Sequence, residues 1–169
     1  MQQRAHRVRR RRRARAARHG LRQAVGMPIR RFEPGDAAIV AGLIARCLRE
    51  VNSRDYPPEL IERMCAHFTP ARVAELAAAR EMWVCEHGTV SRDGNKVYTM
   101  FVDPDAAGRG VGRALMAHIE ARAAAEGHAF METGASITGH GFYHRLGYTD
   151  VRTSETGFGL NYILRKPLA

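Results

Sequence analysis

The stretch Val102-Asp103-Pro104-Asp105-Ala106-Ala107-Gly108-Arg109-Gly110-Val111-Gly112-Arg113-Ala114-Leu115 reads as the end of a strand, a tight turn and a glycine-rich entry into a helix. Before it, Val97, Tyr98, Met100, Phe101 and Val102 form a β-branched and aromatic run. That run must stop at Asp103-Pro104, because proline cannot donate to a ladder. After it, Val111, Ala114, Leu115, His118 and Ile119 recur at helical spacing, and Gly127 supplies a C-terminal stop. Gly108, Gly110 and Gly112 leave room for a ligand to lie against the backbone. The N–H groups of the helix's first turn present the positive end of its dipole there, which favours phosphate. The loop lacks the Gly-Lys-Ser/Thr ending of a Walker loop, and it misses the G-x-G-x-x-G spacing of a dinucleotide fold. Alone, it reads equally as a glycine turn that packs a helix on a strand.

Composition narrows the classes. A chain of 169 residues is long enough for one domain with a substantial core. No apolar run approaches the roughly 18–20 residues needed to cross a membrane. Cys47, Cys65 and Cys85 are odd in number and scattered, with no C-x-x-C pair. This argues against a disulfide framework and against a zinc site, so no metal is expected, and it points to a reducing cytoplasm.

The net charge of +10 resembles a nucleic-acid signature until it is located. Ten of the 27 basic residues, all arginine, lie in residues 1–26, which hold no acid. The seventeen that remain balance the seventeen acidic residues of 27–169, so that part is neutral. Residues 1–26, with the unbroken run Arg9–Arg13 and almost no large apolar side chains, are expected to be a disordered tail. Three readings of it stand open. It is an arm that binds nucleic acid or another polyanion, a targeting peptide, or upstream sequence ahead of a true start at Met27. Nucleic acid is a partner only under the first.

From Met27 onward, Ile29–Phe32 is a short strand and Asp36 an N-cap. Val40, Leu43, Ile44, Cys47, Leu48 and Val51 mark the apolar face of a helix. Leu60, Ile61, Met64, Cys65 and Phe68 mark a second, and Thr69-Pro70 restarts the chain as N-cap and first helical residue. Met82–Cys85 is a strand, then come His87-Gly88 and the short strand Thr89-Val90-Ser91 before an Asp93-Gly94 turn, and Asn95–Val102 is the strand into the glycine loop. Ala129–Ser136 is a further strand, Phe142–Leu146 a short helix, Tyr148–Val151 a strand, and Leu160, Tyr162 and Leu164 alternate as a final edge strand. The order β-α-α-β-β-β-α-β-α-β-β describes a mixed α/β (α+β) domain over 27–169 that is neither doubly wound nor a barrel.

A second stretch, Ser136-Ile137-Thr138-Gly139-His140-Gly141-Phe142-Tyr143-His144-Arg145-Leu146-Gly147-Tyr148, sets two aromatic residues at the start of a short helix and then Leu-Gly-aromatic into a strand. Alone it reads as packing. Together with D-P-x-x-x-G-R-G-V-G-R-A-L about 30 residues earlier, it resembles the GCN5-related N-acetyltransferase (GNAT) superfamily, from Met27 to about Lys166. The wording is closest to small bacterial members of unassigned substrate.

The resemblance implies a central mixed, mostly antiparallel sheet flanked by helices, with a splayed strand pair holding acyl-CoA. It implies acetyl-CoA as co-substrate, with backbone N–H groups from Gly108, Arg109, Gly110, Val111, Gly112 and Arg113 on its pyrophosphate. The pantetheine arm would pair with backbone of Phe101 and Val102, where a main-chain N–H would polarise the thioester carbonyl. Ser136 falls where relatives carry a pantetheine-binding asparagine. The family's tyrosine falls on Tyr143, a neutral phenol able to hand a proton to the departing thiolate; core packing is the alternative for it. Phe142 is assigned to packing. Ala107 replaces the usual Gln/Arg, and Gly139 a common alanine. Only eight residues, 87–94, separate Glu86 from Asn95, so a stunted hairpin is expected on the substrate side.

The function so implied is transfer of acetyl from acetyl-CoA to a primary amine of an unidentified small molecule or peptide by direct attack. The rival is a non-catalytic CoA-sensing or nucleic-acid-docking module. Glu132, Glu86, His140 and His144 are candidate bases, and none is singled out. A homodimer through the strand at Leu160–Leu164 is a further expectation, with no membrane partner.

Overall fold

In a computed structural model that describes residues 28–168, seven strands form one open sheet in the order β1-β2-β3-β4-β5-β7-β6. The strands are β1 (Arg30–Arg31), β2 (Glu81–Cys85), β3 (Gly88–Asp93), β4 (Lys96–Val102), β5 (Phe130–Ala135), β6 (Thr149–Thr156) and β7 (Gly159–Pro167). The helices are α1 (Ala37–Glu50), α2 (Pro58–His67), α3 (Pro70–Ala79), α4 (Val111–Ala125) and α5 (His140–Arg145). All pairings are antiparallel except β4 with β5. The expected Arg-rich tail lies outside the described residues.

Alternation along the strands builds two cores. Met82 and Val84 of β2 face α1–α3, burying Val40, Ile44, Leu48, Ile61 and Val73. Trp83 faces the other way, where Val90, Val97, Met131 and Leu164 meet α4 and α5. Leu115, Met116 and Ile119 of α4 are almost wholly buried, and each contributes about 1.5–3 kcal/mol by leaving water. Both faces of β3 are covered, so five of its six residues are buried whatever their parity.

Several local expectations hold. Thr69 caps α3, its Oγ1 accepting from Arg72 N–H at 3.2 Å, with Pro70 as the first helical residue. Helix α4 begins at Val111, and Gly127 follows its end with φ +85°.

Others need correction. The element order counts two helices over residues 37–79; there are three, the last two separated where Thr69-Pro70 restarts the chain. Asp36 precedes α1 without capping it; its carboxylate instead accepts from Arg30 at 2.8 Å and from Glu33 N–H at 2.8 Å, closing a 3-10 turn. The hairpin over 87–94 is not stunted. Two-residue turns at Glu86-His87 and Gly94-Asn95 leave room for a six-residue β3 paired on both sides. The final strand is not an edge. β7 lies between β5 and β6, and its long antiparallel partner β6 takes the outside position. Leu160–Leu164 therefore offers no free ladder edge to a second chain.

Candidate active site

Strands β4 and β5 run together for only two register pairs, Lys96 with Glu132 and Val97 with Thr133. Beyond Val97 they part. A bulge drives the divergence: between the pairs Tyr98–Ser91 and Phe101–Thr89, β4 carries one residue more than β3. The extra residue puts Thr99 at φ +44°, a left-handed conformation that costs a β-branched residue on the order of 1–3 kcal/mol. A cleft of about 390 Å³ fills the gap, lined on its floor by Thr99, Met100, Val102, Thr133, Ala135 and Ser136.

The backbone inside the cleft is sorted by register. Asp103 N–H donates to the His87 carbonyl at 2.8 Å, so alternation turns the polar groups of Phe101 toward β3 and those of Val102 toward the gap. Val102 therefore suits an added strand, whereas Phe101 offers its side chain, edge-on to Phe68 at 6.1 Å. Cys47 on α1 donates its thiol to the Val102 carbonyl at 3.1 Å. Burial pushes that thiol up to about 11, so it stays protonated.

The glycine loop follows β4 directly. The Asp103 carboxylate accepts from Asp105 N–H at 2.9 Å and from the Arg46 guanidinium at 2.9 Å, which fixes the turn out of the strand. Gly108 and Gly110 adopt φ +76° and +85°, the conformation for which glycine is needed. Gly112 is required for another reason: a Cβ there would sit 2.9 Å from the Phe142 ring and 3.1 Å from Met100 Cε. Thus Phe142 does pack, against the first turn of α4. The first helical bond runs from Ala114 N–H to the Gly110 carbonyl at 2.9 Å, so the N–H groups of Val111, Gly112 and Arg113 make no backbone bond among the described residues. Arg109 and Arg113 are exposed beside them, without an ion pair among the described residues. Converging donors, two left-handed glycines and two free cations suit a pyrophosphate.

Helix α5 forms the far wall. Ser136 Oγ accepts from Gly139 N–H at 3.0 Å, shaping the turn into α5; its own hydroxyl hydrogen remains to donate. Tyr143 is buried against the second core yet lines the cleft. Burial raises its phenol above the ordinary value, opposed by the Thr133 hydroxyl. One side chain thus both packs in the core and lines the cleft. None of the four candidate bases lines the cleft. Glu132 is paired with Arg165 at 2.7 Å, Glu86 is exposed, and His140 and His144 turn to Asp150 on the outer side of α5.

Beyond Val102 the cleft continues under the helical layer, walled by Leu48, Met64, Phe68, Phe101 and Phe158, with Asn52 and Asn161 as polar groups. Sequence reasoning missed this end. Asn52 sits in a connection, and Phe158 and Asn161 belong to the β6–β7 hairpin, so no local pattern joins them. The Thr99 bulge likewise leaves no trace in a run that reads as ordinary strand.

A split sheet with a donor-rich helix start beside the split defines an acyltransferase of the GNAT type. The family model described as "Acetyltransferase (GNAT) domain" matches residues 53–163. The chain belongs to that family, and the acetyl-CoA-dependent acetyltransferase activity expected from its motifs is the activity of the family. It is 28% identical over 129 residues to the uncharacterized N-acetyltransferase YafP of Escherichia coli K12, covering 73% of this chain and 82% of YafP. Among solved structures, a GCN5-related N-acetyltransferase of Rhodopseudomonas palustris superposes with a TM-score of 0.78 at 24% identity, over 84% of this chain and 96% of that one. The PaiA N-acetyltransferase of Thermoplasma acidophilum, solved with coenzyme A, gives 0.68 at 14% identity, over 84% and 99%. YncA of Salmonella typhimurium, solved with its cofactor acetyl-CoA, gives 0.56 at 19% identity, over 85% and 95%.

Proposed function

We propose that the chain moves the acetyl group of acetyl-CoA to the primary amine of an acceptor with an apolar body, by direct attack. The observation that carries this reading is the opening of the sheet between β4 and β5 beside the start of α4, with Tyr143 on its wall. N–H groups of Gly108, Gly110, Val111, Gly112 and Arg113 hold the pyrophosphate; the Arg109 N–H is spent on the Ala106 carbonyl at 3.2 Å, so Arg109 adds only the charge of its side chain, as does Arg113. The Val102 backbone pairs with the pantetheine arm, and the Ser136 hydroxyl donates to it. Acetyl-CoA supplies the activated thioester. Tyr143 then holds its proton beside the sulfur and gives it up as the C–S bond breaks and the C–N bond forms, while the amine's released proton goes to water. Because burial raises the phenol, it remains a proton carrier through the pH range in which a thiol near 8.5 ionises.

Direct attack, rather than an acetyl-cysteine, follows from Cys47: a protonated thiol spent on a carbonyl is no nucleophile. An apolar acceptor follows from the cleft's far end, which is lined by aromatic and aliphatic side chains and by no carboxylate. Co-localisation of acceptor and donor supplies much of the rate. No helix among the described residues is long and apolar enough to cross a membrane, and the three cysteines are free, in keeping with a cytoplasmic enzyme.

Thermal shift of the full chain with acetyl-CoA, CoA and ATP tests the donor site. Stabilisation of about 2.7 kcal/mol is expected at 100 times the dissociation constant for both CoA species and none for ATP. A folded sample that ignores all three overturns the reading.

A further inference from the structure

Helix α5 carries a second constellation on the side away from the cleft. His140 and His144 stand four residues apart, one helical turn, so their rings share a face. Asp150, second residue of β6, rises to meet them. His140 Nε2 lies 2.7 Å from Asp150 Oδ1, His144 Nε2 lies 3.1 Å from Asp150 Oδ2, and the two Nε2 atoms are 3.1 Å apart. His140 is held in this orientation by Tyr162, whose ring stacks on it at 3.9 Å and 18°. His144 and Asp150 are open to solvent, and His140 partly so.

We propose that His140, His144 and Asp150 form a binding site for a divalent cation of the zinc class, independent of the acetyl-transfer reading. Three ligand atoms converge on one point, with the two Nε2 atoms 3.1 Å apart; as Nε2–H tautomers both rings can donate to Asp150, but only with their two protons crowded together, and one cation replaces both. A single cation engages all three lone pairs. Tetrahedral ligands at zinc distances stand about 3.3 Å apart, so the observed contacts of 2.7 and 3.1 Å need to open by about 0.2–0.6 Å. Two imidazoles with one carboxylate select zinc, cobalt or nickel over magnesium or calcium, which take all-oxygen shells. Three protein ligands leave the fourth position for water. The absence of a C-x-x-C pair argues against a cysteine-ligated site and says nothing of this one. The ion would tie α5, only six residues long and bearing Tyr143, to strand β6, bracing a helix too short to hold itself.

Titration of the full chain with Co(II), followed by its visible absorption, is the direct test. The intense band of a tetrahedral cobalt centre is expected at one equivalent, with a rise in Tm that Mg(II) does not produce. His144→Ala removes a solvent-facing ligand and should leave the metal-free Tm near its starting value. It should weaken cobalt binding by more than the roughly 10–100-fold that outer-shell changes cost. Asp150→Asn provides a second, independent loss of affinity. A band that survives both substitutions places the metal on other residues, and no band at all leaves the cluster without a metal; either result overturns the proposal.

Discussion

The Tyr56 hydroxyl accepts a 2.9 Å hydrogen bond from the backbone N–H of Ile137, tying the connection between α1 and α2 to the loop that enters α5. A neighbouring bond, from Thr138 Oγ1 to Asp55 Oδ2 at 2.7 Å, doubles the tie. Together they join the helical layer on one face of the sheet to the helix that bears Tyr143 on the other. Tyr56→Phe keeps the buried ring and loses the acceptor, so a loss of about 1 kcal/mol is expected. Urea melts with an unchanged slope and a lower midpoint would show it; an unmoved midpoint would mean that the tie is idle.

Tyr143→Phe separates packing from proton transfer. The ring stays in its buried place against Tyr148, 5.5 Å away edge-on, so Tm should change little. The turnover number should fall about 100-fold or more, with the affinity for CoA retained. Equal rates for the two proteins would remove Tyr143 from the chemistry.

The glycines of the loop differ in what they tolerate. Gly110→Ala forces a side chain into φ +85° and should cost about 1–2 kcal/mol, with weaker donor binding. Gly112→Ala meets the Phe142 ring instead and should disturb α5. Gly35→Ala, with open space and no left-handed requirement, is the control that should melt like the parent. Thermal melting ranks the three.

His118 gives stability a pH dependence. Its ring packs edge-on to Trp83 at 4.3 Å, and its Nε2 has no partner among the described residues. Burial holds its pKa below 6.5, helped by Arg122 and Arg92 and opposed by Glu81. The unfolded chain therefore binds this proton more readily than the folded one. Stability is full above pH 6.5 and declines as the pH falls below it. His118→Leu should flatten the decline between about pH 7 and 5, above the range in which Glu81 and Glu126, both lowered from 4.5, begin to titrate. An unchanged slope would assign the decline to other groups.

What was legible in the sequence was local. Thr69-Pro70, the spacing of Leu115 and Ile119, and the glycines at 108 and 110 each state their conformation within one turn of chain. Tyr143 and the loop were legible as a pair only because both motifs stood in one order. Strand order was not. Alternation at Leu160, Tyr162 and Leu164 gives a strand with a buried face, and nothing in it says that β6 will fold back outside. The segment 87–94 holds a full strand because two-residue turns on either side of it take so little chain. The apolar end of the cleft joins Leu48, Met64, Phe101 and Phe158 from four distant elements, and only folding makes them neighbours.

The parting of β4 from β5 also shapes the fate of the protein without its donor. Val97-Tyr98-Thr99-Met100-Phe101-Val102 is six uncharged residues of high strand propensity, the composition that seeds cross-β stacking. The outer edge of the sheet, β6, is guarded by Asp150, Arg152 and Glu155. The inner edge opened at β4 has no such charges of its own. It is shielded by Lys96 and Asp103-Pro104 at its ends, by the Cys47 thiol on Val102, and by the kink at Thr99 that spoils a flat template. A ligand lying in the gap would complete that shield.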